Sequence, residues 1–279
     1  GDWGENRDMR LIYAAWHYMA LAAAARMADL LGKTQDAYLF RQKMTQVKRG
    51  YNACWTGKAY RHPTFTGDTD DRVQALAIIS GIADTDKYPA ISKLLRTQKH
   101  ASPYMEKYVM ESLFQMGDGE YAMERAHERY HHMVMDSLHT TLYEGWLAGA
   151  NGFGGGTTNH AWSGGPLTVI AQYLMGVSVR EPGWKVFSVC PVPVRFQKAD
   201  ISIPTIRGMV KTAFQLGETT DVYSITVPRD THAYYYLPCQ DAAQAKGAEA
   251  YICTDSTVQK EGRLCLLLPA GNYKFKVRK

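Results

Sequence analysis

Glu144 is the carboxylate whose surroundings most clearly favour chemistry. It lies in the segment Thr-Thr-Leu-Tyr-Glu-Gly-Trp, between Tyr143 and Trp146 and directly before a glycine-rich stretch at 149–156. Flat apolar sugar faces stack on phenol and indole rings, and a partly desolvated carboxylate beside such rings gains basicity. The pattern is typical of a carbohydrate site with a catalytic carboxylate. Spacing alone also fits an exposed helix-end glutamate flanked by packing aromatics.

Two further pairs place an ionisable side chain beside an indole. His160 precedes Trp162 at the start of a predicted helix, where an imidazole can donate to a sugar hydroxyl or steady the Glu144 carboxylate. A structural cap with a satisfied histidine fits the same spacing. Asp2 and Trp3 form the second pair, near the first residue of the chain.

Three acids precede another predicted helix, in the cluster Asp68-Thr69-Asp70-Asp71-Arg72. Asp70 and Asp71 fit a helix cap and favourable first-turn charges. Asp68 follows a glycine in an aromatic loop and is therefore the better candidate for ligand binding. The glycine run at 149–156 follows no strand and lacks the lysine of a phosphate-binding loop. Neither the histidines nor the cysteines have metal-ligand spacing, so no metal or cofactor is predicted.

Two halves of the chain have different periodicities. Residues 1–178 carry apolar side chains at helical spacing in about seven segments, at 9–31, 35–47, 70–82, 88–97, 103–116, 121–135 and 161–175. Residues 179–279 alternate in short β-branched and aromatic runs, which indicates an antiparallel β-sandwich. The runs 264–268 and 273–277 flank a turn sequence and are predicted to form a hairpin.

Composition narrows the classes of function. The 279 residues carry a formal charge of +5, with Lys and Arg scattered rather than gathered in one stripe, so a nucleic-acid partner is not predicted. No apolar run is long enough to span a membrane. The five cysteines are odd in number and widely spaced, which favours free thiols, with one disulfide among the last three left open.

Four segments together resemble the bacterial α-L-rhamnosidases of glycoside hydrolase family 78. Gly1-Asp2-Trp3 is similar to the Gly-Asp-Trp motif of that family, and the Gly-Asp-Thr segment ending at Thr69 is similar to another. The segment around Glu144 resembles the motif that carries the general base. Asn-His-Ala-Trp-Ser-Gly, which contains His160, resembles the motif whose histidine contacts the sugar. The segments occur in the family order.

The resemblance implies a fold, a reaction and a set of site residues. It implies the second half of an (α/α)6 toroid of antiparallel helix pairs at 1–178 and a C-terminal β-sandwich at 179–279. Glu144 would be the general base of an inverting hydrolysis of terminal α-L-rhamnosyl residues, without a cofactor. The ligand would be a rhamnose-containing oligosaccharide, polysaccharide or glycoside. The residues implied to bind the terminal rhamnose are Asp2, Trp3, Asp68, Tyr143, Trp146, His160 and Trp162.

This sequence also departs from the family pattern. Tyr143 replaces the usual Trp and Gly145 the usual Arg beside the base, which puts substrate preference in doubt. The motif of the general acid does not occur in these residues. We therefore expect the acid on an N-terminal part of a longer enzyme. Because polysaccharide-degrading enzymes of this kind are often exported, the resemblance favours a periplasmic or secreted location over a cytoplasmic one. Two alternatives stay open: another (α/α)6 hydrolase of glucoamylase or trehalase type, and a non-catalytic carbohydrate-binding fragment.

Overall fold

The computed structural model describes residues 1–148 and 156–279. These form two compact units, a helical unit (Gly1–Pro166) and a strand-rich unit (Leu167–Lys279). The domain boundary predicted between residues 178 and 179 stays a prediction. Most of the glycine-rich stretch at 149–156 lies outside the described residues.

The predicted helices are confirmed. Between residues 161 and 174 the predicted helix is a 3-10 turn, a short α-helix and a π-helical turn in succession. Within the described ranges the α-helices are α1 (Met9–Leu30), α2 (Thr34–Asn52), α3 (Asp71–Ile79), α4 (Tyr88–Leu95), α5 (Pro103–Gln115), α6 (Gly119–Val134) and α7 (Gly165–Val169).

Local sequence signals explain where the central helices begin. The Asp70 carboxylate accepts a hydrogen bond from the Arg72 N–H at 3.0 Å and so caps α3, as predicted. The Ser102 hydroxyl accepts from the Met105 N–H at 3.3 Å and caps α5. Pro103 occupies the first position of α5, where its missing N–H leaves no hydrogen bond unmade.

Helix α3 is the centre of the helical unit. It packs against α1, α4 and α5, and α5 packs in turn against α6, while α1 and α2 form a pair of their own. Every side chain from Asp71 to Ile78 is buried, including the charged Asp71 and Arg72. Because burying a lone charge is very costly, both must be paired, and their partners define much of the site described below.

Two sheets make up the strand-rich unit. Their strands are β1 (Val177–Val179), β2 (Val186–Val189), β3 (Lys198–Thr205), β4 (Gly208–Gln215), β5 (Thr220–Val227), β6 (His232–Leu237), β7 (Ala245–Lys246), β8 (Leu264–Leu268) and β9 (Gly271–Arg278). One sheet has the order β1-β2-β6-β8 and the other the order β3-β4-β5-β9-β7. All pairs are antiparallel except β2 with β6, which is parallel. The rings of Tyr235 and Phe275, one from each sheet, lie 5.8 Å apart in the core.

The predicted hairpin of the last two strands is wrong. Both runs are strands, but β8 pairs with β6, whereas β9 pairs with β5 and β7. Strand β8 is almost continuously buried, and β6, with its aromatic run, is also mostly buried, so the two strands suit each other as neighbours. Strand β9 alternates buried and exposed residues and belongs to the half-exposed sheet. The short link at Pro269 therefore carries the chain from one sheet to the other.

One glycine of the strand-rich unit is required by its surroundings. Gly176 has φ +69°, and a Cβ there would lie 2.0 Å from the carbonyl oxygen of Cys190. Its carbonyl accepts the Cys190 N–H at 3.0 Å, so the two backbones are in direct contact.

All five cysteines are free thiols. Within 1–148 and 156–279, no helix is both long enough and apolar enough to cross a membrane.

Candidate active site

The backbone around Glu144 is clamped by the segment that follows the glycine-rich stretch. The Glu144 N–H donates to the Thr157 carbonyl at 2.9 Å, and the His160 N–H donates to the Leu142 carbonyl at 2.9 Å. On the other side, the Trp162 indole Nε1–H donates to the Glu144 carbonyl at 3.0 Å. The two segments quoted from the sequence are thus brought together, and Glu144 is fixed through both of its backbone groups.

The Glu144 carboxylate differs from the other buried acids of this unit. Only 7% of the residue is exposed. Among the residues that the structure describes, its side-chain oxygens have neither an ion pair nor a hydrogen-bond partner, although its backbone is fully engaged. A carboxylate held in this way keeps its lone pairs available for a water molecule, which is what a general base requires.

A row of aromatic rings leads away from His160. The His160 and Trp162 rings have centroids 4.4 Å apart, and Trp162 stacks on Tyr104 at 5.4 Å. Tyr104 meets Tyr108 edge to face at 5.7 Å. The His160 Nδ1 atom is buried and has no hydrogen-bond partner among the described residues. Because buried polar atoms are nearly always paired, the unpaired Nδ1 atom makes His160 a candidate for ligand binding.

The hydroxyl of Tyr143 is hydrogen-bonded within the protein. It donates to Asp136 Oδ2, which also lies 3.0 Å from His139 Nδ1. The hydrogen bond to Asp136 raises the pKa of Tyr143 to about 12, and the same bond lowers the pKa of Asp136. The Tyr143 ring packs with Tyr130 and Met133. Tyr143 therefore anchors the segment that carries the candidate base.

Trp146 is also an anchor. Its indole Nε1–H donates to the Ala101 carbonyl at 2.8 Å, and the Arg129 guanidinium lies 3.9 Å from its ring centroid. Tyr130 meets the same ring edge to face at 5.1 Å. These contacts tie the residues after Glu144 to the start of α5.

Asp2 is buried in an ion pair. Its carboxylate lies 3.0 Å from Arg72 Nη1, and it accepts the Ser102 N–H at 3.1 Å and the Ser102 hydroxyl. Arg72 Nε lies 2.6 Å from Asp70. Asp2 therefore fastens the N-terminal residues to α3 and α5. Since Ser102 follows Ala101, Asp2 and Trp146 meet at one short stretch of chain.

Trp3 and Asp68 are both exposed, and their hydrogen bonds are to other residues of the helical unit. Trp3 is 45% exposed, and its carbonyl accepts from Arg72 Nη1 at 3.1 Å. Asp68 is exposed, and its N–H donates to the Asn6 side chain at 2.9 Å. Within the described residues, neither side chain makes a hydrogen bond or ring contact with the group around Glu144.

A second buried ion-pair network was not predicted. Arg125 donates to Glu106 at 2.5 Å and to Asp71 at 2.7 Å, and Arg129 reaches Glu106 at 2.5 Å. Burial by itself would raise the pKa of Glu106, but the charges of Arg125 and Arg129 outweigh it and lower the pKa. Charged residues inside otherwise apolar helices were the only sequence signal for this ion-pair network. Tyr104, on which Trp162 stacks, was also not predicted as a site residue.

Family comparisons identify the relatives of this arrangement. The model of the bacterial α-L-rhamnosidase six-hairpin glycosidase domain matches residues 1–174, and that of the bacterial α-L-rhamnosidase C-terminal domain matches residues 176–251. The chain belongs to the bacterial α-L-rhamnosidase family. The resemblance seen in the sequence is thereby confirmed, together with the fold class of a helical six-hairpin domain followed by a β-domain.

Solved structures show the same fold. The α-L-rhamnosidase of Dictyoglumus thermophilum matches 94% of this chain and 31% of its own, with a TM-score of 0.77 and 22% identity. That of Streptomyces avermitilis, complexed with L-rhamnose, matches 100% of this chain and 28% of its own, with a TM-score of 0.79 and 18% identity. This chain thus spans about a third of their length. Comparison with curated protein sequences finds no match.

Proposed function

We propose that this protein hydrolyses terminal α-L-rhamnosyl residues of glycosides, oligosaccharides or polysaccharides, as part of a longer enzyme. The observation that carries the proposal is the Glu144 carboxylate, almost buried and without a partner among the described residues, on a backbone clamped by Thr157 and Trp162. Family membership supports the substrate class, as does the rhamnose-bound relative from Streptomyces avermitilis.

The proposed reaction proceeds with inversion. Glu144 removes a proton from a water molecule, which attacks the anomeric carbon while a carboxylic acid protonates the leaving oxygen on the opposite face of the ring. The two carboxyl groups then stand roughly 6.5–9.5 Å apart to admit the water. We assign the acid to a segment outside these 279 residues, as the sequence resemblance implies.

The site residues divide into two proposed roles. His160, with its free Nδ1 atom, hydrogen-bonds a sugar hydroxyl, and Trp162 holds both the imidazole and the Glu144 backbone. Asp2, Tyr143 and Trp146 have their polar atoms engaged within the protein, so we propose that they position the site. The predicted contacts of Trp3 and Asp68 with the terminal rhamnose stay predictions.

A panel of aryl glycosides tests the substrate class. We expect the full-length enzyme to release aryl alcohol from α-L-rhamnosides and not from α-D-glucosides. Activity on the glucosides alone would favour a hydrolase of the glucoamylase or trehalase type, and binding of rhamnose without release would favour a carbohydrate-binding protein. Proton NMR of the first product tests the mechanism. Inversion gives β-L-rhamnose first, and initial α-L-rhamnose would refute it.

A further inference from the structure

The outer face of the five-stranded sheet carries a row of cations. Lys274, Lys276 and Arg278 are exposed on β9, while the intervening Phe275 and Val277 are buried in the sandwich core. Successive residues of a strand point to opposite faces, so the three cations share one face of the sheet. They cover its open side, away from the core.

The strand register builds a groove on this face. Lys274 lies opposite Ser224, which lies opposite Ala213, which in turn lies opposite Asp200. The two small central residues leave a depression between longer neighbours. Two cavities of about 380 and 330 Å³ share the Asp200, Ala213 and Ser224 lining. A third cavity of about 670 Å³ is lined by Lys246, Lys276 and Arg278. We call this surface the basic groove.

The charges of the basic groove are strongly unbalanced. Its acids are Asp200 and Glu249, and the Glu249 carboxylate already accepts the Gly247 N–H at 3.0 Å. Arg278 donates to a backbone carbonyl at 3.2 Å. Within the described residues, no cation of the groove forms a salt bridge. The groove cations are Lys198, Lys211, Lys246, Lys274, Lys276 and Arg278.

One cross-strand pair places two like charges opposite each other, which is expected to lower the stability of the sheet. Lys246 of β7 lies directly opposite Lys276 of β9. Like charges at directly opposite positions destabilise an antiparallel pair. A bound anion would remove this repulsion between the two lysines. Such a pair is therefore expected on a surface that binds an anion.

We propose that the basic groove binds a polysaccharide that carries carboxylate groups. The lysines would pair with the carboxylates. The Ser202 hydroxyl and the side-chain N–H groups of Asn272 would hydrogen-bond the sugar hydroxyls, while Asn272 Oδ1 already accepts the Thr226 hydroxyl at 2.7 Å. The choice of a polysaccharide over other polyanions rests on the proposed function. The groove would hold the polymer at a surface made of the strand-rich unit alone.

Affinity electrophoresis of the full-length protein tests the proposal. Polygalacturonate in the gel should retard the protein at low salt, and neutral dextran should not. The double variant K274E/K276E should weaken retardation by at least about tenfold, since it replaces two attractions by two repulsions. The matched control K185E/K260E changes the net charge by the same amount at two exposed lysines of the same unit outside the groove, and it should leave retardation unchanged.

Three results would overturn the proposal: no retardation by polygalacturonate, equal loss in K185E/K260E, or retardation by single-stranded DNA as strong as that by polygalacturonate. Thermal unfolding of K276E gives an independent readout. Its Tm should rise, because the new carboxylate faces Lys246. A lower Tm would contradict the charge argument. Hydrolysis of an aryl α-L-rhamnoside by the double variant should stay normal, so failure of the groove and failure of the proposed activity are separately visible.

Discussion

Arg125→Ala tests the buried network that supports the helical unit. The guanidinium is fully buried and reaches Glu106, Asp71 and the carbonyls of Leu95 and Gln98. Its removal leaves Asp71 without its ion-pair partner. Breaking a buried pair by removing one member costs about 3–5 kcal/mol, a large part of the roughly 5–15 kcal/mol by which a protein is stable.

The assay is thermal unfolding followed by circular dichroism at 222 nm, which reports mainly on the helices. At about 2–4 °C per kcal/mol for a unit of this size, the Tm should fall by roughly 10 °C. Arg41→Ala is the matched control, because the Arg41–Asp29 pair has side chains 55% and 45% exposed and should leave the Tm unchanged. A fall of less than about 2 °C in Arg125→Ala would refute the reasoning.

Three further changes have defined outcomes. Trp162→Phe keeps an aromatic side chain but removes the donor to the Glu144 carbonyl, a loss of roughly 1 kcal/mol, and kcat should fall about fivefold with little change in KM. Gly176→Ala should lower stability by on the order of 3 kcal/mol in thermal melts, whereas Gly262→Ala, with φ +71° and open space around it, should cost only about 1–2 kcal/mol. Glu106 has a lowered pKa when folded, so its contribution is present above the unfolded pKa near 4.3 and is lost as the pH falls through the folded pKa. The Tm gap between wild type and Glu106→Gln should therefore shrink below about pH 4, and a gap that widens there would contradict the lowered pKa.

The sequence predicted the elements well because local rules fix them. Helix α3 begins where Asp70 caps it, and α5 begins at Ser102 and Pro103. The alternating runs expected in 179–279 include strands β3 and β5, in which more and less buried residues follow one another. The partners of β8 and β9 could not be predicted, because pairing depends on which distant strand offers a matching face, and the turn at Pro269 is equally compatible with a change of sheet.

The site was predicted in part for the same reason. Glu144, His160 and Trp162 could be proposed from the sequence because their segments carry aromatic and ionisable residues together, and the fold joins these segments through hydrogen bonds to their backbones. The structural role of Asp2 could not be predicted from the sequence, since its partner Arg72 is seventy positions away in the chain. A side chain's contacts at that distance follow from packing, which no local pattern reveals.

Turnover of Glu144→Gln in the full-length enzyme tests the central claim most directly. The amide has nearly the same shape as the carboxylate but cannot accept a proton from water. We predict that kcat on an aryl α-L-rhamnoside falls by on the order of 10²–10⁴, with an unchanged Tm. Glu181→Gln, at an exposed glutamate, should retain full activity. Near-normal kcat in Glu144→Gln would contradict the assignment of this residue as the general base.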